Sequence, residues 1–229
     1  MPDAGSNPLR QVERQRLENR SQSDGEVGGR AALAEALFRI GALRFGKFKL
    51  PDDKVSAYRL DLGIVPSEPE AYGLATAACM AAVKELGENS FDAIAGVATA
   101  GVALSSPLAY LLRKPLLSVR LDESRQGAQS VVEGAVPPGW RTLIVDDLAM
   151  SGASIAVAAD ALRRSACVVK DAIVLVDGLG GAKSKLASTG VRLDAFTDVR
   201  DLVQTLYDRR KITKADWQAV MKQMEGDRT

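Results

Sequence analysis

The stretch Arg141–Ser154, RTLIVDDLAMSGAS, decides the fold. Leu143, Ile144 and Val145 form a short apolar run ending in two adjacent carboxylates, Asp146 and Asp147. A run this short, bounded by turn residues, reads as a buried strand. Small residues then lead into SGASIAVAADALRRS, which reads as a helix. The unit is therefore strand, loop, helix. Consecutive strand residues face opposite sides, and two free carboxylates this close repel unless something satisfies them. Ribose hydroxyls, or Mg²⁺ with a substrate, would do so. The loop supplies Ser151, Gly152 and Ser154, whose N–H and hydroxyl donors make a phosphate cradle. A sugar bearing a phosphate fits both halves. The structural alternative is that one aspartate caps the helix while the other is solvated.

Working outward, the same alternation recurs. FDAIAGVA, PLLSVRL, VVKDAIVLVDG and VRLDAFTDV read as strands, with GVALSSPLAYLL and GAKSKLASTG as helices between them. Strands alternating with helices imply an α/β domain around a mostly parallel sheet flanked by helices. SEPEAYGLATAACMAAVKEL is a helix with a start signal at Ser67-Glu68-Pro69. Ahead of it, RAALAEALFRIGAL is a helix with Leu33, Leu37 and Ile40 at helical spacing. FGKFKLPDDKVSAYRLDLG then reads as an antiparallel hairpin turning at Pro51-Asp52-Asp53. Together these form a small N-terminal helix-hairpin subdomain. TKADWQAVMKQM is a last helix with Thr213 as its cap. Residues 1–28 are polar and are expected to be a disordered arm. The expected organisation is thus arm 1–28, main domain 29–210, and C-terminal helix and tail 211–229.

Composition narrows the function. Of 229 residues, 46% are hydrophobic and 26% charged, enough for a sizeable core. A formal net charge of +1 leaves no electrostatic footprint for nucleic acid, and no helix-turn-helix pattern precedes residue 30. No apolar run approaches a membrane span, and the first residues lack a signal-peptide core. A soluble, cytoplasmic protein is expected. The chain has no histidine, which excludes Ser-His-Asp and Cys-His catalysis and His-ligated metals. Cys79 and Cys167 sit in apolar contexts and read as buried thiols.

Ligands of open α/β sheets bind beyond the carboxyl ends of strands. Besides the aspartate pair, two such ends are candidates. One is GVATAG, Gly96–Gly101, whose small residues allow close backbone approach to an anion ahead of a helix N-terminus. The other is SVRLDESRQGAQSVVEG, Ser118–Gly134, long and polar enough for a lid, where Arg120 and Arg125 could clamp diphosphate oxygens. The alternatives are a tight strand-to-helix turn and a solvated hairpin.

IVDDLAMSGAS resembles the 5-phosphoribosyl 1-diphosphate (PRPP) signature of type I phosphoribosyltransferases. ALFRIGALRFGKFKL, DLGIVPSEPE, FDAIAGVATAGVALSSPLA, KPLLSVR, VVEGAVPPGWRTLIVDD and DAIVLVDGLGGAKSKLASTGVRL follow the order and spacing of the orotate phosphoribosyltransferase family. The resemblance implies the type I phosphoribosyltransferase fold. It also implies transfer of ribose 5-phosphate from PRPP to orotate, giving orotidine 5′-monophosphate and diphosphate in pyrimidine synthesis. Mg²⁺ would arrive with PRPP rather than through direct protein ligands. The resemblance assigns Asp146 and Asp147 to the ribose hydroxyls, and Ser151, Gly152, Ala153 and Ser154 to the 5-phosphate. Thr99, Ala100 and Gly101 fall to the diphosphate. Arg120 would reach diphosphate from the neighbouring subunit of a homodimer. Arg125, Gln126 and Gly127 match the mobile loop.

The sequence departs from that pattern in places. Leu121, Ser124 and Gln126 replace the mobile loop's two lysines and its histidine or tyrosine. Met150 stands where the phosphate loop has threonine, and a thioether is no donor and a poor acceptor. Gly178 stands where the family has a base-contacting arginine. Three functions fit: an orotate phosphoribosyltransferase with a rearranged site, a phosphoribosyltransferase for another base, and a non-catalytic relative that binds PRPP or a nucleotide.

Overall fold

The computed structural model describes residues 28–49, 53, 55–121 and 131–226. All of the expected arm except Gly28 lies outside the described residues, as do Arg125, Gln126 and Gly127.

Helix α1 (28–39) buries Leu33, Ala34 and Leu37 on one face, as its spacing requires. It ends earlier than the sequence pattern suggests. Gly41 takes φ +75°, and the chain turns directly into β1 (Leu43–Lys49). β1 pairs antiparallel with β2 (Val55–Leu60), forming the expected hairpin as a separate two-stranded sheet. The pairing register shifts between Phe45 and Phe48, around Gly46 with φ +149°. That is a bulge, where glycine is favoured.

A 3₁₀ segment, η1 (Leu62–Ser67), leads into α2 (Pro69–Leu86). The main sheet then builds from β3 (Ala93–Val97), α3 (Ala98–Leu112), β4 (Leu116–Arg120) and β5 (Val131–Glu133). It continues with β6 (Thr142–Ala149), α4 (Ala153–Arg164), β7 (Asp171–Asp177), α5 (Ala182–Ser188) and β8 (Arg192–Asp198). The strand order is β5-β4-β3-β6-β7-β8, parallel except for the edge strand β5. A helix that the sequence reading passed over, α6 (Val199–Asp208), follows β8. α7 (Lys214–Gly226) closes the described chain.

The two faces of the sheet carry separate cores. Ile94, Leu143, Val145, Ile173 and Leu175 pack towards α1, α2, α3, α6 and α7. Ala95, Ile144 and Val174 pack towards α4 and α5. This alternation of Leu143, Ile144 and Val145 is the period-two reading of the opening stretch. Each buried Leu or Ile contributes roughly 1.5–3 kcal/mol of transfer free energy. Val220 and Met224 of α7 belong to the first core, so the C-terminal helix is integral to the domain.

The order of the strands fixes where a ligand belongs. From β3 the chain runs outward to β4, returns to place β6 on the other side of β3, and winds on through β7 and β8. Winding therefore reverses between β3 and β6. A crevice opens at such a point beyond the strands' carboxyl ends.

Candidate active site

Asp146 and Asp147 sit at this reversal. β6 runs on through both of them to Ala149. Asp146 is 5% exposed and Asp147 is partly buried. Asp146 Oδ1 accepts a hydrogen bond from Asp147 N at 3.0 Å. Burial, with the charge of Asp147 second, pushes the Asp146 carboxyl well above the usual carboxylate range. Asp147 is also raised, again chiefly by burial, with the charge of Asp61 adding to the shift. Asp61 stands just before η1 and is anchored by its N–H to Ala42 O at 2.8 Å, so the hairpin subdomain reaches the site. Among the described residues no cation pairs with either carboxylate. The reading of one aspartate as a helix cap does not hold, since α4 begins without a side-chain cap.

The expected diphosphate loop is a helix turn. Thr99, Ala100 and Gly101 lie in the first turn of α3, which starts at Ala98. Thr99 is exposed, whereas Gly101 is buried against the aspartate pair. A β-carbon on Gly101 would sit 2.6 Å from Asp146 Oδ1 and 3.0 Å from Val145 O. A β-carbon on Gly96 would overlap Ser105 Oγ and stand 2.6 Å from Val102 Cα. These glycines let α3 close onto β3 and β6, which brings its N-terminus to Asp146. Ala98 takes φ +49°, a left-handed conformation that costs an L-residue roughly 1–2 kcal/mol. Such strain gathers at functional loops. Tyr72 braces the turn by donating from its hydroxyl to Ala103 O at 2.5 Å.

The loop expected to cradle the phosphate leads from β6 into α4. Gly152 adopts φ +72° as the N-cap of α4. A β-carbon there would lie 3.1 Å from Leu186 Cγ and 3.3 Å from Ala182 Cα, so α5 supports the cradle from below. Ser151 and Ala153 are exposed and Ser154 is partly buried. Neither α3, α4 nor α5 has a side-chain cap, and all three start at the strand ends. α6 and α7, away from the crevice, are capped. Asp198 accepts from Asp201 N at 2.9 Å and Thr213 Oγ1 accepts from Asp216 N at 3.1 Å. The helices facing the crevice thus leave N–H donors for an anion.

Arg120 is not brought to the aspartates within this chain. It ends β4, two strands from β6, and its Nη2 is 2.9 Å from Glu133 Oε1 of β5. Both ends of the expected lid therefore form a short antiparallel pair, with 122–130 outside the described residues.

Sequence reasoning missed Asp177, a second buried carboxylate, at an adjacent strand end. Its Oδ1 accepts from Leu179 N at 2.8 Å, and its Oδ2 is 3.5 Å from Lys183 Nζ. It shapes the turn after β7, in which Leu179 takes φ +61°. An aspartate followed by glycine at a strand end was the available signal.

A doubly wound sheet with this strand-end geometry defines a class: the model of the phosphoribosyl transferase domain matches residues 71–200. Among similar proteins, orotate phosphoribosyltransferase of Cenarchaeum symbiosum is 34% identical over 88% of this chain and 98% of its own. The crystal structure of orotate phosphoribosyltransferase from Aeropyrum pernix superposes with a TM-score of 0.71 at 34% identity, over 76% of this chain and 98% of that one. Leishmania donovani UMP synthase matches with a TM-score of 0.73 at 27% identity, over 86% of this chain and 42% of that one. The chain belongs to the orotate phosphoribosyltransferase family. Among the described residues, no helix is long and apolar enough to cross a membrane, and no cluster of three or more metal-ligating side chains occurs.

Proposed function

We propose that this chain transfers the 5-phosphoribosyl group of PRPP to orotate, giving orotidine 5′-monophosphate and diphosphate, as the names of its relatives indicate for them. The observation that carries this is the buried aspartate pair. It has no cation partner among the described residues and lies between two uncapped helix N-termini.

Asp146 and Asp147 accept hydrogen bonds from the ribose hydroxyls. N–H groups and hydroxyls of Ser151, Gly152, Ala153 and Ser154 hold the 5-phosphate. Thr99, Ala100 and the N-terminus of α3 hold the diphosphate, with Gly101 setting how closely that turn meets Asp146. The C1′–O bond to diphosphate breaks and a C1′–N bond to the base forms. Fixed donors aimed at the leaving group stabilise the charge it develops, and this needs no histidine. Mg²⁺ would arrive on the oxygens of PRPP rather than on direct protein ligands, as its preference for substrate phosphates and water allows. When bound, it would neutralise the leaving diphosphate.

The native unit is a homodimer in the cytoplasm. The second half of α3 and the start of β4 expose Tyr110 at 84%, Leu111 at 59% and Leu116 at 36%. A large aromatic beside two aliphatic side chains suits a self-complementary interface. Arg120, exposed on the same strand, would reach a neighbour's diphosphate. Its surface pair with Glu133 is weak enough to exchange.

Incubation with PRPP, Mg²⁺ and orotate should release diphosphate. PRPP binding by calorimetry with no turnover on orotate would sink this reading.

A further inference from the structure

The loop after β6 lies directly on the loop after β7. Gly178 N donates to Ala149 O at 2.8 Å. A β-carbon on Gly178 would overlap Met150 Sδ, and one on Gly180 would sit 2.8 Å from Met150 O. No side chain fits at 178 while Met150 stays where it is, because the thioether fills that volume. Met150 is nevertheless 46% exposed, so it also faces outward at the strand ends. Lys183, on the first turn of α5, stands 3.5 Å from the buried Asp177 carboxylate, whose charge offsets its own.

The reaction places the acceptor. In a displacement at C1′ the incoming base and the departing diphosphate take opposite faces, because the reacting orbitals must align. With the diphosphate at the N-terminus of α3, as proposed above, the leaving group is on the β3 side of β6. The base therefore lies towards β7, where Met150 and the backbone of Gly178–Gly181 form the wall.

We propose that Met150, seated on Gly178, is the specificity-determining side chain of the acceptor subsite: it gives the base a neutral, polarisable wall, so that the pyrimidine ring is selected by its face and not by an ion pair to its carboxylate. A thioether packs favourably on aromatic rings and gives no counter-charge. This rests on reading the strand ends as a PRPP-dependent transferase site.

Calorimetry tests it on protein saturated with diphosphate and Mg²⁺, titrated with orotate and with uracil, the same ring without the carboxylate. The two dissociation constants should agree within about 10-fold, and Met150→Ala should weaken both by about 3- to 10-fold. In the double variant Met150→Thr/Gly178→Arg, orotate should bind about 10- to 100-fold more tightly than uracil. A wild-type preference for orotate of about 100-fold or more would overturn the inference. So would unmoved constants in Met150→Ala, or a wild type that binds neither ring. PRPP affinity of each variant reports whether the cradle is intact. Diphosphate release with orotate is scored separately, so the wall can fail while turnover persists.

Discussion

Asp146 and Asp147 are held where neither ionises easily, and that arrangement destabilises the unliganded protein at neutral pH. An unfolded aspartate titrates near about 3.9, and burial raises both groups in the fold. Between the two values the folded state binds more protons than the unfolded state, so stability falls as pH rises through this window. Asp146→Asn should therefore stabilise the apo protein by about 1 kcal/mol at about pH 8 and by less near about pH 4. PRPP affinity should drop at the same time. Urea melts at both pH values check the first expectation and calorimetry the second. A variant less stable than wild type at the higher pH would contradict it. Asp92 behaves oppositely. Hydrogen bonds from the Arg141 side chain hold its carboxyl below the usual range, so its contribution is present above the unfolded value and lost in acid. Cys79, pushed up to about 12 by burial and then by Asp147, should resist alkylation in the native state. The aspartate pair was legible in the sequence because charges interrupt an apolar run. The meeting of Met150 with Gly178 was not, because it depends on the register that sets Ala149 beside Asp177.

At the scale of elements, α2, α3, α4 and α5 all start without a side-chain cap, the last three of them beyond the carboxyl ends of β3, β6 and β7, whereas α6 and α7 carry their own caps. The strand and helix series around IVDD was readable from period and punctuation. The start of α3 was read too late, because small residues in Ala98–Gly101 look like a loop while tertiary contact with β6 draws them into a helix. α6 was overlooked although Val199, Leu202, Val203 and Leu206 repeat at helical spacing behind Asp198. Close approach at α3 makes a sharp prediction. Gly101→Ala should displace Asp146 or lift the helix, lowering PRPP affinity by about 10-fold or more. Ala98→Gly, which relieves a left-handed alanine, should stabilise the fold by about 1 kcal/mol. Thermal melts with and without PRPP separate the two effects. An Ala98→Gly protein that melts lower than wild type would show that the turn is not strained.

At the scale of the whole molecule, the reversal of winding between β3 and β6 sets the described candidate residues of α3, β6 and the start of α4 beside one another and leaves Arg120 two strands from Asp146. The alternation of strands and helices foretold the α/β class, but strand order depends on which edges pair, and that is not local. A homodimer with Arg120 in trans can be tested by complementation. Arg120→Ala and Asp147→Asn should each be nearly inactive. An equal mixture, allowed to exchange subunits, should recover about a quarter of wild-type activity, since half the dimers then hold one intact site of two. No recovery, despite demonstrated exchange, would place Arg120 in its own chain's site. The clasp between hairpin and C-terminal helix has a different consequence. Gln223 Oε1 accepts from Ala57 N at 2.7 Å, joining residues 166 positions apart. During synthesis β1 and β2 emerge long before α7 exists. The hairpin must wait for that helix, and the nascent chain carries an unfinished edge until α7 has left the ribosome.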